Sequence, residues 1–235
     1  MGQGIQQPPV EQGGAGGAAL DLFKVMLEPT AVFERVRERP KFLVPFLALC
    51  AINFVIFFVN LSILRVALQA EAAAAGTPDV SKYAPWFSLG VPIVIGLIVL
   101  ISALVLWVLV SMIGGDGKFT TLLSMTTYAL TPTFIVYAII GAIILTVQGT
   151  GQITSTQDMQ PPVGLDLLAP NVKGFVGAVL KGINPFSIWS LVLTAIGVST
   201  THRLSKSNGY VVATISFVLG LLIGAVFAMF GNRGG

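Results

Sequence analysis

The sequence has very few charged residues for its length. Only 10% of its 235 residues are Asp, Glu, Lys or Arg, against about 25% in a typical soluble domain. Hydrophobic residues make up 54%, and the mean hydropathy is +0.87. Such a chain cannot cover a surface that faces water, so a soluble enzyme is excluded, and so much apolar surface also excludes general disorder. A lipid bilayer is the solvent that fits this composition.

The sequence also lacks the residues that build reactive centres. It holds one cysteine, Cys50, and one histidine, His202, whereas a zinc site takes about four ligands, or three and a water. Serines in the apolar segments have no neighbouring base there to activate them as nucleophiles. No extended basic stripe marks a nucleic-acid surface. The sequence therefore predicts no enzymatic activity, no metal or other cofactor, and no nucleic-acid partner.

What the sequence does have is long apolar runs separated by short polar stretches. A membrane-spanning helix needs about 20 predominantly apolar residues. Five segments come near that length: residues 42–64, 87–113, 119–147, 185–201 and 210–230. The predicted fold is therefore all-α, a polytopic membrane protein with a bundle of five transmembrane helices over residues 42–230. Residues 1–17, rich in Gly and Gln, are predicted to form a disordered tail, and residues 231–235 a second tail.

Two further stretches are amphipathic but too short or too polar to span a bilayer. Residues 18–41 form a basic juxtamembrane region, which Pro29 divides into two short helices. Before the fourth span, residues 171–183 place apolar side chains at the spacing of one helix face. Both stretches are predicted to lie at the bilayer interface.

The strongest charge feature is a basic cluster directly before the first span. It consists of Arg35, Arg37, Arg39 and Lys41. These side chains are candidates for contact with anionic lipid headgroups, or they simply set the topology of the chain. With the N-terminus inside, eight Lys and Arg lie inside and five outside. This bias predicts a cytoplasmic N-terminus and, after five spans, an outside C-terminus.

Polar residues within the spans are neutral. Asn53 and Asn60 share one face of the first span, because they lie seven residues apart. In the third span Tyr128 and Thr131 precede Pro132, which leaves the Tyr128 carbonyl without its helical partner, and nearby threonine hydroxyls can satisfy it. These residues predict either a kinked, hydrogen-bonded packing helix or a hinge beside a narrow path for a small neutral solute.

Small residues recur at four-residue intervals in the fifth span. They are Gly220, Gly224 and Ala228. Such spacing lets two helices approach closely, so these residues are candidates for helix packing, including self-association.

The order of several short motifs resembles that of bacterial Yip1-domain membrane proteins. Pro29–Phe33 and Arg39–Pro40 resemble the opening of that family, the glycine-rich turn with Phe119 and Tyr128–Pro132 its third span, and Asn184–Trp189 with Leu191 and Gly197 the entry to its fourth. The resemblance covers roughly residues 20–230. It implies a five-span bundle with a cytoplasmic N-terminus.

In eukaryotes the Yip1 family is associated with vesicle trafficking, Rab GTPases and the shaping of Golgi and ER membranes. Those members carry an Asp-Leu-Tyr-Gly-Pro-like motif, whereas this chain has Asp21–Lys24 without the Gly-Pro, which argues against a Rab partner. We therefore expect a non-enzymatic protein of the bacterial cytoplasmic membrane, or of Golgi or ER if the source is eukaryotic. The expected role is membrane organisation, scaffolding or binding of other membrane proteins. The alternative is a transporter or channel for a small solute through the third span.

Overall fold

The computed structural model describes residues 15–151, 153–172 and 174–231, and no β-strand occurs in those three stretches. The α-helices, numbered in chain order, are α1 (Ala15–Lys24), α2 (Pro29–Glu38), α3 (Leu43–Val59), α4 (Leu61–Ala75), α5 (Gly90–Met112), α6 (Phe119–Ala129), α7 (Tyr137–Gln148), α8 (Gly174–Gly182), α9 (Pro185–Thr201) and α10 (Lys206–Gly231). A 3₁₀ segment, Ser81–Leu89, precedes α5, and short 3₁₀ turns, Thr156–Met159 and Leu165–Leu168, precede α8. The predicted tails fall mostly outside the described residues, at 1–14 and 232–235, although α1 already begins at Ala15.

Three helical segments are each long and apolar enough to cross a membrane. They are Ser81–Met112, Phe119–Gln148 and Lys206–Ala228. Two bent pairs, α3 with α4 and α8 with α9, qualify only when their halves are taken together, and each pair is bent by 62°. The described residues thus hold three to five spans, and the predicted five correspond to counting each bent pair once.

The first predicted span, residues 42–64, contains a break in its helix that the sequence did not predict. Helix α3 stops at Val59, and α4 starts at Leu61 in a new direction. At the break, the Asn60 side-chain Nδ2 donates to the Ile56 carbonyl at 3.0 Å. The same carbonyl also accepts a hydrogen bond from the Asn60 backbone N–H. A side-chain amide that bonds the preceding turn in this way favours a local departure from regular helix. Because apolar residues continue to Leu64, hydropathy alone gives no sign of the bend.

The third predicted span is present, with a π-helical turn, Pro132–Val136, between α6 and α7. Within it the Tyr137 N–H bonds the Pro132 carbonyl, five residues back. The expected rescue of the Tyr128 carbonyl by threonine is wrong: Thr127 donates to Leu123, and Thr133 pairs with Ser190. The Oγ1 atoms of Thr126 and Thr131 are buried without a partner. The wider π-helical turn accommodates Pro132, so the helical segment Phe119–Gln148 continues without a sharp bend.

The connections of the bundle gather at two ends. The platform end holds α1 and α2, which we call the N-terminal platform, together with the turns at residues 113–118 and 202–205. The cap end holds α4, the 3₁₀ segment before α5, and the described residues 149–151 and 153–172 of the loop between α7 and α8. Helices α3, α5, α6–α7, α9 and α10 run between these ends, so the chain crosses the bundle back and forth.

Aromatic side chains mark both ends. Trp107 near the platform end is 41% exposed, and its Nε1–H donates to the Gly117 carbonyl at 2.9 Å. Tyr83 and Trp86 near the cap end are 50% and 68% exposed. Tyr and Trp are enriched where a protein meets the two membrane–water interfaces, so their positions fit a bilayer that lies between the two ends.

Helices α9 and α10 cross closely because a glycine lies at their contact. A Cβ added to Gly209 would lie 2.6 Å from the Ala195 carbonyl oxygen, which is too close for any side chain. Gly220, further along α10, has nothing within 4 Å of an added Cβ. Only the first of these two glycines is therefore required for packing within the chain.

We expect Gly209→Ala to lower the stability of the detergent-solubilised protein by about 1–3 kcal/mol, because overpacking forces the two backbones apart. A thermal unfolding curve followed by size exclusion measures the change. Gly220→Ala is the matched control and should leave the midpoint unchanged or slightly higher. Equal midpoints for the two variants would contradict the assigned α9–α10 contact.

Candidate functional site: the N-terminal platform and the cap-end cleft

The N-terminal platform is folded onto the bundle. Leu22 and Val25 of the first amphipathic stretch and Val32 and Phe33 of the second are fully buried, and α2 contacts α6 and α9. The predicted amphipathic helices therefore exist, and Pro29 begins the second of them. Their main apolar faces pack against protein, α1 against α3 and α2 against α6 and α9, and their position at the bilayer interface stays a prediction.

Three polar contacts hold the platform in place. Arg35 donates from Nε and Nη2 to the two carboxylate oxygens of Asp21, at 3.1 and 2.7 Å. The Tyr128 hydroxyl donates to the Ala18 carbonyl at 3.2 Å. Arg37 donates to the Thr200 carbonyl at 3.4 Å. These contacts tie α1 to α2, α1 to α6 and α2 to α9.

The four residues of the predicted basic cluster have different environments. The hydrogen bonds that Arg35 donates to Asp21, against a smaller opposing effect of burial, raise the pKa of Arg35 above its ordinary value. Arg37 is half-buried, whereas Arg39 is exposed. Lys41 is exposed as well, and its carbonyl accepts a hydrogen bond from Ser124 Oγ at 2.9 Å. Part of the cluster therefore builds the platform, and Arg39 projects from it.

The outer surface of the platform combines charged and apolar side chains. Glu34 and Glu38 on α2 are exposed. Leu20, Phe23 and Leu27 on the α1 side are 58%, 46% and 85% exposed, although the same stretch buries Leu22 and Val25. The platform thus has a second apolar edge, which the described part of the chain leaves exposed.

His202 lies under the platform end, directly after α9. It is 6% exposed, its Nδ1 lies 2.7 Å from Thr201 Oγ1, and its Nε2 has no partner. Burial lowers the pKa of His202 below its ordinary value, although Asp116 and the backbone of Lys118 oppose this. The imidazole is therefore held neutral at physiological pH, as a buried polar contact of the turn.

The polar residues predicted in the spans do not meet in one place. The Asn53 side chain donates to the Leu49 carbonyl at 2.9 Å, within its own helix. Asn60 lies at the α3–α4 bend, where its Oδ1 is buried without a partner. Tyr128 and Thr131 flank the platform end of the π turn, and Pro132 begins that turn. Asn60 is thus at a bend and Pro132 at a helical irregularity, and each of the two asparagine amides bonds a carbonyl of its own helix.

A large polar cleft lies at the cap end. Its volume is about 1030 Å³, and its lining includes Tyr137, Thr156, Asp166, Lys181 and Asn184. The loop that forms one wall is fixed by Glu71 of α4, whose Oε1 accepts hydrogen bonds from the backbone N–H and the hydroxyl of Thr156 at 2.7 and 2.8 Å. This wall therefore has a defined position relative to the helices.

The opposite wall of the cleft is the bend between α8 and α9. The Asn184 side chain accepts hydrogen bonds from the N–H groups of Phe186 and Ser187, at 3.1 and 3.0 Å, and so caps α9. Pro185 follows at the first helical position. Helix α9 thus begins at residue 185, where the apolar length of the sequence predicted the start of the fourth span.

A narrower crevice continues from the cleft into the bundle. It measures about 310 Å³ and is lined by residues of α5, α6, α9 and α10. The two cavities share the residues Thr133, Ala178, Gly182, Ser187 and Gly224. Neither cavity is lined by Asn53, Asn60 or Tyr128.

The predicted helix-packing residues of α10 lie along these cavities. Gly220 lines the crevice, Gly224 both cavities and Ala228 the cleft. An added Cβ at Gly220 or Gly224 would meet nothing within 4 Å. Within the chain these small residues therefore leave open space beside α10, and their use in self-association stays a prediction.

Several residues of these surfaces were missed at the level of sequence. Asp21 was not assigned as the partner of Arg35, nor Glu71 as the anchor of the cap-end loop. Asp166 and Lys181 are 15 positions apart, the first in a loop and the second in α8. No local spacing signals such contacts. Within the part of the chain that the structure describes, no three His, Cys, Asp or Glu side chains are grouped so that they could hold a metal ion.

Comparison with known proteins gives a consistent result. The family model described as "Yip1 domain" matches residues 23–228. "Membrane protein YknW" of Bacillus subtilis (strain 168) is 30% identical over 218 residues, which cover 89% of this chain and 88% of that protein. No solved structure matches the chain.

The packing of the platform predicts a sharp contrast between two neighbouring residues. Phe33→Ala should cost about 3–5 kcal/mol locally, because it empties a fully buried site, and should release α1 and α2 from the bundle. Glu34→Ala, at the next and exposed position, should have no such effect. Hydrogen–deuterium exchange of residues 18–38 in detergent measures the release. Unchanged protection in Phe33→Ala would refute the docked arrangement.

Proposed function

This chain belongs to the Yip1-domain family of membrane proteins, and we propose that it acts without catalysis, as a membrane scaffold whose N-terminal platform binds a partner membrane protein. The observation that carries the proposal is the docking of α1 and α2 by buried apolar side chains and the Arg35–Asp21 ion pair. A platform fixed in this way presents its outer side chains in a defined pattern.

The outer pattern suits a protein partner at the membrane surface. Glu34, Glu38 and Arg39 give charges of both signs on and next to one short helix. Charges arranged in this way give a contact its specificity and its orientation more than its strength. Leu20 and Phe23 add an apolar edge beside them, of the kind that marks a contact with a partner or with the headgroup region.

Transport, the alternative function, lacks a comparable observation. The cavities at the cap end are not lined by Tyr128 or Asn53, the residues proposed for a solute path. At the platform end Tyr128 is 2% exposed and bonded to Ala18. Scaffolding therefore has the better support.

We place the protein in the cytoplasmic membrane of a bacterium, with its N-terminus in the cytoplasm. Support comes from the Lys and Arg residues of the two ends, since cytoplasmic segments carry an excess of them. The platform end holds Lys24, Arg35, Arg37, Arg39, Lys41, Lys118, Arg203 and Lys206. The described part of the cap end holds Arg65, Lys82 and Lys181.

The orientation can be tested by cysteine labelling, because the chain has a single cysteine to remove. In a Cys50→Ala background, Asp79→Cys at the cap end should react with a membrane-impermeant maleimide on intact cells. Glu34→Cys on the platform should react only after the cells are permeabilised. The opposite labelling pattern would reverse the proposed topology.

The scaffold role can be tested with a photo-crosslinking amino acid placed in the full chain in its native host. At Glu34 or Glu38 we expect a discrete adduct with one or a few membrane proteins. The control position is Leu104 on α5, which is 43% exposed on an apolar face and should give lipid adducts alone. If neither platform position gives a protein adduct, or if Leu104 gives the same one, the proposal fails.

A further inference from the structure

We propose that the cap-end cleft and the crevice together bind one zwitterionic phospholipid with a primary ammonium group. Its headgroup would lie in the cleft and one acyl chain in the crevice. This inference goes beyond the proposed function, because it concerns the opposite end of the bundle and does not depend on the platform. It rests on three features: an apolar crevice joined to a polar cleft, hydroxyl groups at the junction, and two opposite charges that do not pair.

The crevice has the properties of a site for an acyl chain. Ile98 of α5 and Phe217 and Leu221 of α10 contribute apolar walls, and Gly220 and Gly224 leave the space between the helices open. Ile98 is 41% exposed on the outer surface of its span. A chain from the bilayer can therefore enter from the side. The volumes of about 310 and 1030 Å³ match the range of about 300–1,000 Å³ that is usual for ligand sites.

The junction of the two cavities is polar. Thr133 and Ser187 line both cavities, and Thr133 Oγ1 lies 2.9 Å from Ser190 Oγ. Two hydroxyls that bond each other use one of their two hydrogens, so the other can be donated to a ligand. An ester carbonyl of the glycerol backbone would lie at this depth, between headgroup and chain.

The cleft provides one positive and one negative side chain. Lys181 and Asp166 both line it. No ion pair within 4.0 Å joins these two side chains in the described part of the chain. Asp166 Oδ1 is buried and has no hydrogen-bond partner.

Leaving a buried carboxylate oxygen unbonded is costly, and a donor from a ligand would remove that cost. A headgroup that holds a phosphate and a primary ammonium matches both side chains. The phosphate would meet Lys181, and the ammonium would donate to Asp166. A headgroup without a positive charge matches Lys181 alone.

Native mass spectrometry of the delipidated full-length protein tests the proposal. The probes are phosphatidylethanolamine and phosphatidylglycerol with identical acyl chains, and the dissociation constant of the first bound lipid is measured. We expect phosphatidylethanolamine to bind more tightly. Equal or tighter binding of phosphatidylglycerol would overturn the assignment of the headgroup.

Filling the junction should block both lipids. Gly224→Leu places a side chain in the wall that the cavities share, and its Cβ would meet nothing within 4 Å, so affinity for either lipid should fall at least about 10-fold. Thr214→Leu, exposed on the same helix and outside both cavities, is the matched control. Should Gly224→Leu fail to fold, Gly220→Leu tests the crevice in the same way. Wild-type affinity in a folded variant would refute the site.

Changing the charges should separate the two lipids. Loss of a hydrogen bond between charged groups lowers affinity about 10- to 100-fold. We expect Asp166→Asn to show this loss for phosphatidylethanolamine alone, and Lys181→Gln for both lipids. Asp79→Asn and Lys82→Gln, at the same end but outside the cleft, should change neither. If Asp166→Asn leaves the preference for phosphatidylethanolamine intact, the proposed ammonium contact is wrong.

Discussion

The need to bond every backbone polar group inside a bilayer determines most of this structure. No water is present there to replace a missing partner, so spans are helical and each irregularity needs its own solution. At Asn60 a side-chain amide bonds the preceding turn, at Pro132 the helix widens into a π turn, and at Gly182–Pro185 Asn184 caps a new helix. The bends that shape the cap end occur at two of these three points.

The N-terminal platform depends on apolar packing at the end of the bundle. Helices α6 and α9 need apolar cover near the platform end, and Phe33 provides it by packing near Gly197, where an added Cβ would lie 3.1 Å from its ring. The amphipathic sequence of α2 therefore completes the bundle. The ion pair with Asp21 and the Tyr128 hydrogen bond then fix α1 beside it.

Helices whose bounds are determined by nearby residues could be predicted from the sequence. Apolar length identified the long spans, Pro29 the start of α2, and Asn184–Pro185 the start of α9. The bend at Asn60 could not be read from hydropathy, because the sequence stays mostly apolar across it, up to Leu64. The burial of Phe33 and the position of Glu71 against Thr156 depend on contacts between residues 85 or more positions apart. No periodicity within a segment predicts such contacts.

Because the chain has few charged residues, its partly buried acidic residues are important to the structure. Among the described acidic residues three are partly buried: Asp21, Glu71 and Asp166. Asp21 binds Arg35, and Glu71 accepts two hydrogen bonds from Thr156, so each holds two parts of the chain together. Asp166 has the same degree of burial, yet its Oδ1 is bonded to no described group. The other two partly buried carboxylates make structural contacts. Asp166 instead faces a cleft that Lys181 also lines, and the two side chains form no ion pair. That exception is the reason to look for a ligand there.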